Sequence, residues 1–150
     1  MSKSKNSRKA VKGKSLNDNP IIPRGEFSIE TAKNHLIAVI ICFHILPLVF
    51  LAFGDEGREL LQTGCLVYLN PMFIFVIMLL YGVRIGFNFK MPIITTLLAA
   101  ASVAMYYTKP EQADYVYYTL TSTAVMFFVY CFFSYLSTVA GAIIKHFITR

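Results

Sequence analysis

Seven residues in the apolar stretches of this chain either carry a polar side chain or break a helix. They are expected to lie at about one membrane depth. Pro47 and Pro71 each remove a backbone hydrogen bond and free the carbonyls of residues 43 and 67. An ionisable side chain inside a membrane is a functional candidate by default, and His44 is one. Interrupted helices at matching depth also mark the sites of secondary transporters. The candidates for lining a ligand cavity in the outer half of the membrane are His44, Pro47, Asn70, Pro71, Ser102, Thr119 and Ser122.

The same residues have a second interpretation, as polar contacts that hold a helix bundle together. Kinked membrane helices satisfy their freed carbonyls with neighbouring Ser, Thr and Asn side chains. Each such contact contributes only about 0.6–2 kcal/mol. His44 has no carboxylate partner in any apolar stretch, so a neutral imidazole bonded to a neighbouring carbonyl is the simpler state. We therefore give the structural role more weight than the ligand-binding role.

Catalysis and metal binding have little support in the sequence. The four apolar stretches contain no Asp or Glu, so no carboxylate can act there as a base or a nucleophile. His35, His44 and His146 lie at different depths and cannot share one metal ion. The three cysteines form no C-x-x-C pair, which argues against thiol redox chemistry. We predict a protein that is not an enzyme and that uses no cofactor and no metal.

Four long apolar stretches must position these side chains. The stretches at 36–53, 66–83, 91–108 and 115–144 carry no Asp, Glu, Lys or Arg. Each is near or above the ~17–25 residues that cross a bilayer as a helix. Barrel strands would alternate polar and apolar residues, and these stretches do not. We predict an all-α fold, a four-helix transmembrane bundle at 35–150, after a basic tail at 1–34. The tail is expected to be disordered, except for a short helix that is capped by Ser28 and runs through Glu30 and Lys33 into the first stretch.

The charges between the stretches predict the orientation. Residues 1–34 carry eight basic and three acidic side chains, and the connection at 84–90 has a net charge of +2. The connections at 54–60 and 109–114 have net charges of −2 and −1. Lys and Arg in short loops stay on the cytoplasmic side. The prediction is therefore an N-in/C-in protein of the plasma membrane, with both termini cytoplasmic.

The basic side chains are expected to contact anionic lipid headgroups. No aromatic residue precedes Phe27, so the tail has nothing that could stack on nucleic-acid bases. A polybasic segment beside a membrane span is typical of an anionic-lipid contact. The predicted headgroup contacts are Lys3, Lys5, Arg8, Lys9, Lys12, Lys14, Arg84 and Lys90.

Small residues in the second and fourth stretches predict close helix packing. Small side chains at a spacing of four let the backbones of membrane helices approach each other. The sequence leaves open whether the packing seam lies within one bundle or between two copies. The helix-packing candidates are Gly82, Gly86, Ser134, Ser137, Thr138 and Gly141.

Residues 66–135 resemble a known group of proteins. The resemblance is carried by LNPMF at 69–73, LYGVRIGFNF at 80–89, MPII at 91–94, and the pair Tyr106-Tyr107. The chain is similar in these segments to uncharacterised small four-span integral membrane proteins of Gram-positive bacteria. The resemblance implies a bacterial plasma membrane, and it implies no catalytic residue.

These features predict an accessory or regulatory subunit of a membrane complex, which includes immunity-type roles against pore-forming toxins. The alternative is an oligomeric facilitator or flippase for a small or lipid-linked substrate, with its cavity in the outer half of the membrane. Proton-coupled export has little support, because small four-span exporters use an intramembrane carboxylate and this chain has none. The expected partners are the anionic bilayer and either a second copy or a larger membrane protein, but no nucleic acid.

Overall fold

The structure is a computed structural model that describes residues 22–107 and 114–149. Four helices make up most of these ranges. Within these ranges there is no β-strand. The helices are α1, Ile29–Leu51, α2, Gly54–Ile85, α3, Lys90–Tyr106, and α4, Tyr115–Ile148. Three of them, α1, α2 and α4, are long and apolar enough to cross a membrane, and α3 is a shorter apolar helix of 17 residues. The all-helical, membrane-type fold is therefore confirmed for the described residues.

The helices extend beyond the apolar stretches that predicted them. α1 begins at Ile29, ahead of the stretch at 36–53. The acidic segment Gly54–Leu60, predicted as a connection, is helical and forms the first turns of α2. Asp55 and Glu56 lie in its first turn, where negative charge is stabilised by the helix dipole. Charge thus marks where an apolar stretch ends, but a helix can continue through it.

A widened turn precedes the proline in each of the first two helices. The backbone is π-helical at Ile41–Ile45, before Pro47, and at Leu61–Leu69, before Pro71. Proline donates no hydrogen bond, and its ring clashes with the carbonyl four residues earlier, so a wider turn relieves the clash. A wide turn also rotates the residues that follow it. Asn70 follows the second π-helical turn, and its side chain is buried.

α2 and α4 run in the same direction, side by side. Asn70 bonds to Tyr130, and near the ends of both helices Lys145 Nζ donates to the backbone carbonyls of Arg84 and Ile85, at 3.2 and 2.9 Å. A cation at this position satisfies carbonyls that have no partner at the carboxyl end of α2. The two contacts fix the register of α4 against α2 along most of the bundle.

α1 runs antiparallel to α2. The His35 ring near the start of α1 meets the Tyr81 ring near the end of α2, with the ring centroids 5.1 Å apart. Farther along α1, the Phe43 ring meets Tyr130 of α4 at 6.0 Å. Tyr81, Phe43 and Tyr130 are all fully buried. α1 therefore closes one side of the α2 and α4 pair.

The backbones of α2 and α4 approach most closely where two glycines meet. A Cβ atom on Gly82 would overlap the carbonyl oxygen of Thr138, and one on Gly141 would overlap that of Leu79. The buried hydroxyl of Ser137 donates to the Phe133 carbonyl of its own helix at 2.6 Å. The predicted seam thus lies within this bundle. α2 and α4 are close there because their backbones are in contact, and not because hydroxyls bond across the seam.

The hydroxyls of the other small residues in the seam are also satisfied. Thr138 Oγ1 donates to the Ser134 carbonyl at 2.6 Å, within α4. Ser134 Oγ reaches the third helix and donates to the Pro92 carbonyl at 3.3 Å. The α4 seam therefore packs against α2 through its glycine and against α3 through Ser134.

Gly86 does not share the packing role of Gly82. It ends α2 with a φ of +103°, which glycine adopts without strain. A Cβ atom there would lie 2.6 Å from the carbonyl oxygen of Pro23. Gly86 therefore belongs to a turn that contacts the segment before α1, whereas the sequence pattern had placed it on a helix-packing face.

Replacing Gly82 by Ala is expected to destabilise the bundle, because its Cβ would be forced against the Thr138 carbonyl. We expect Gly82→Ala to lower the free energy of unfolding by about 1–3 kcal/mol. The measurement is unfolding in mixed micelles by titration with dodecyl sulfate, followed by circular dichroism. Gly64→Ala is the matched control in α2, because its Cβ would lie 3.5 Å from Leu60, an ordinary contact. Equal stability of the two variants would contradict the close crossing.

Candidate functional site

Asn70 forms a buried hydrogen-bonded cluster that joins three helices. Its amide Nδ2 donates to the hydroxyl oxygens of Tyr107, directly after α3, and Tyr130, in α4, at 3.0 and 3.1 Å. The three side chains are 2%, 8% and 0% exposed, respectively. A buried amide has lost its water partners, and the hydroxyls of Tyr107 and Tyr130 replace them. We call these three residues the Asn70 cluster.

α1 and the first part of α2 enclose the Asn70 cluster. Phe43 of α1 is fully buried and meets the Tyr130 ring edge-on. Gln62, in the π-helical part of α2, donates through Nε2 to the backbone carbonyl of Tyr107 at 3.4 Å. All four helices therefore contribute to one buried level of the bundle.

The Asn70 cluster consists of neutral groups. An amide and two phenols donate and accept hydrogen bonds but carry no charge near neutral pH. No group of three or more His, Cys, Asp or Glu able to hold a metal ion occurs in the described part of the chain. Both hydrogens of the Asn70 amide are directed at hydroxyl oxygens, so the arrangement suits holding helices together.

Four other predicted lining residues make contacts within the bundle. Pro47 and Pro71 are buried. Ser102 is fully buried, and its Oγ donates to the Ala99 carbonyl of its own helix at 2.7 Å. The half-buried ring of His44 packs against Tyr106, with the ring centroids 6.0 Å apart. These positions fill and join the helices.

Thr119 and Ser122 lie on the first half of α4, away from the Asn70 cluster. Ser122 is exposed and Thr119 is half-buried. Ser122 lies about 12 Å along α4 from Tyr130, at 1.5 Å per residue. The enclosed side chain of Asn70 and the outward side chain of Ser122 therefore do not line one common surface.

Tyr107 and Tyr130 are not among the site residues predicted from the sequence. Most tyrosines of the fourth stretch lie at its start, at 115, 117 and 118, as membrane interfaces favour. Tyr130 instead lies in the middle of the stretch, where its hydroxyl requires a buried partner. Asn70 carries the only side-chain amide in the four stretches. A single amide and a tyrosine in the middle of an apolar stretch both need buried partners, and this shared need could have predicted the cluster.

At the opposite end of the bundle, the segment before α1 pairs with the α2–α3 connection. Gly25 N donates to the Phe87 carbonyl, and Phe87 N donates to the Pro23 carbonyl, both at 2.9 Å. These bonds form a short parallel bridge between Arg24 and Phe87. The segment is thereby held against the bundle.

Asn88 fixes the start of α3 at this end. Its Oδ1 accepts a hydrogen bond from Met91 N at 3.0 Å, which satisfies a free donor of the first helical turn. Its Nδ2 donates to the hydroxyl of Tyr81 in α2. One amide thus joins the connection to two helices.

Two of the eight predicted headgroup residues lie in the described ranges, and both are at this end. Arg84 and Lys90 are exposed. Lys90 Nζ lies 6.0 Å from the centroid of the Phe27 ring. The other six lie outside the described residues: Lys3, Lys5, Arg8, Lys9, Lys12 and Lys14.

Removing one hydroxyl from the Asn70 cluster is expected to destabilise the bundle. Tyr130→Phe deletes an acceptor of the Asn70 amide and should lower the free energy of unfolding by about 0.6–1.7 kcal/mol. The measurement is again unfolding by dodecyl sulfate titration. Tyr68→Phe is the control, since Tyr68 is 73% exposed and should cost less than about 0.5 kcal/mol. A Tyr130→Phe variant as stable as the control would contradict the bonding role.

Comparison with known proteins gives no template for this arrangement. No family model, curated protein or solved structure matches the chain. The resemblance to small four-span membrane proteins of Gram-positive bacteria therefore stays a prediction. The function is inferred from the described residues and their contacts.

Proposed function

We propose that this protein is a non-enzymatic accessory or regulatory subunit of a membrane complex. On this proposal the four helices form a bundle in the plasma membrane, and the first half of α4 docks on a helix of a larger partner protein. The observation that carries the proposal is the unequal packing of the two halves of α4.

The second half of α4 buries one of its faces in the bundle, and the first half does not. Tyr130, Ser134 and Ala142 are fully buried. Between 116 and 128, by contrast, every side chain is exposed or half-buried. Leu120 and Phe128 are 66% and 71% exposed. About 20 Å of helix, at 1.5 Å per residue, therefore has no buried side chain.

The composition of this exposed half favours a protein partner over lipid alone. Thr121 and Ser122 are exposed among the apolar residues. Small and hydroxyl-bearing side chains are enriched where membrane helices pack on each other. The exposed side chains near them, Tyr117, Leu120 and Val125, would provide the apolar part of such a contact.

The direction of the helices supports four membrane crossings. α2 and α4 run the same way, so a chain in which both cross the membrane must return between Ile85 and Tyr115. α3 is the one helix that the structure describes in that interval. Its 17 residues span ~25 Å, close to the ~30 Å hydrocarbon core.

The orientation follows from charge, as the positive-inside rule requires. The end of the bundle that carries Arg84, Lys90 and Lys145 is placed in the cytoplasm, together with both termini. The end that carries Asp55 and Glu56 is placed outside. By the resemblance noted above, the membrane is the plasma membrane of a bacterium, and the basic tail contacts its anionic lipids.

The alternative of a facilitator or flippase draws less support from these contacts. Such a protein needs polar side chains that line one accessible path. Asn70 is enclosed, and its amide hydrogens are directed at two tyrosine hydroxyls. Ser122 is exposed, about 12 Å along α4 from Tyr130. The polar groups of the outer half therefore fit a packed bundle better than a substrate path.

Cysteine labelling tests the four-span orientation. In a chain whose own three cysteines are replaced by Ala, a membrane-impermeant maleimide should label Asp55→Cys in intact cells. Thr149→Cys should react only after the membrane is permeabilised, because the proposal places it in the cytoplasm. Labelling of both variants in intact cells, or of Thr149→Cys alone, would contradict the orientation.

Purification from the native membrane tests the accessory role. The tagged full chain, extracted in a mild detergent, should retain a larger membrane protein at a fixed stoichiometry, identified by mass spectrometry. Ser122→Leu should reduce recovery of that protein at least ~10-fold, the loss expected when a buried contact worth about 1.4 kcal/mol is blocked. Val76→Leu is the control, because Val76 is 44% exposed on α2, away from the proposed face. A solitary chain, or a partner retained equally by both variants, would refute the proposal.

A further inference from the structure

A groove opens at the basic end of the bundle, between residues 24–27 and the connection at 87–90. We infer that this groove binds the headgroup of one anionic phospholipid. The inference rests on the membrane placement proposed above, but it does not depend on any protein partner.

The groove is a built feature and not a gap between loose loops. Its volume is 540 Å³, enough for a lipid headgroup. One wall is held by the paired hydrogen bonds of Gly25 and Phe87, at 2.9 Å. The other is fixed by Asn88, which bonds both to Met91 N and to the Tyr81 hydroxyl. The lining residues are therefore held in place before a ligand arrives.

The charge of the groove favours an anion. Arg24 and Lys90 line it from opposite sides, with Glu26 as the single carboxylate among the lining residues. Within the described part of the chain, neither cation forms an ion pair with a carboxylate. Lys90 also begins α3, and the positive end of a helix dipole adds to the attraction for phosphate.

The apolar lining points to a lipid and not to a free phosphate ion. Phe27, Phe87 and Phe89 contribute aromatic surface to the groove. Phe89, Ile93 and Leu97 are 65%, 45% and 55% exposed. Their spacing of four places them on one stripe of α3 that leads away from the groove along the membrane helix. This stripe offers an acyl chain a path that inorganic phosphate could not use.

The location of the groove agrees with this ligand. It lies at the ends of α2 and α3, where apolar helices give way to exposed basic residues. Phospholipid headgroups occupy this level of a membrane, and each nearby Lys or Arg strengthens binding of an anionic lipid. An anionic phospholipid satisfies the cations and the aromatic surface together.

Native mass spectrometry of the full-length chain in detergent micelles, titrated with dioleoyl phosphatidylglycerol, tests the inference. The wild-type chain should retain one phosphatidylglycerol more tightly than dioleoyl phosphatidylcholine. Arg24→Gln and Lys90→Gln should each weaken that binding about fivefold, and the double variant about 25-fold. Both side chains are exposed, so the variants should fold, and circular dichroism checks that they do.

A matched control separates the groove from diffuse attraction to basic charge. Lys33 is exposed on α1 and does not line the groove. Lys33→Gln should change the binding of the retained lipid by less than about twofold. Excess inorganic phosphate should leave the lipid bound.

Three results would overturn the inference. Equal binding of the two lipids would remove the role of charge in recognition. Binding by the double variant within about twofold of wild type, or an equal loss in Lys33→Gln, would place the lipid outside the groove. Displacement of the lipid by inorganic phosphate alone would show that the acyl stripe contributes nothing.

Discussion

A side-chain amide that is enclosed by helices cannot bond to water, so Asn70 must find its partners within the protein. It finds them in Tyr107, directly after α3, and in Tyr130 of α4. This one requirement sets how α2 faces α3 and α4. The close passage of Gly82 and Gly141 and the bond from Lys145 to the end of α2 keep the same register toward the basic end. The rest of the bundle depends on this alignment.

Proline determines which way the amide faces. Pro71 cannot donate to the helix ladder, and the π-helical turn before it absorbs the clash of its ring. Each residue of an α-helix turns the chain by about 100°, so a single widened turn moves the following side chains to another face. Pro47 is preceded by the same feature in α1, where Phe43 packs on Tyr130. The helix breaks that suggested a cavity in the sequence thus serve, in this arrangement, to orient buried side chains.

Sequence patterns predicted well where the apolar helices lie along the chain, and predicted poorly which side chains face the interior. The charge-free stretches located the apolar helices, because hydropathy depends on composition and not on facing. They did not predict that the acidic segment Gly54–Leu60 continues α2. Ser122 and Asn70 both lie in the first half of their stretches, yet one is exposed and the other buried. Gly86 has the spacing of a packing residue, but the turn that ends α2 needs its positive φ. Rotation and helix ends depend on π-turns and on partners distant in sequence, which a single periodicity does not encode.

The Asn70 amide bonds α2 directly to α4 through Tyr130, and a double-mutant cycle measures the strength of that bond. The free energy of unfolding would be compared for wild type, Asn70→Leu, Tyr130→Phe and the double variant. We predict a coupling energy of about 0.6–1.7 kcal/mol, because either single change removes the shared hydrogen bond. A coupling energy near zero would mean that the two side chains act independently. In that case the amide would not be what aligns the bundle, and the assignment of its polar groups to packing would fail.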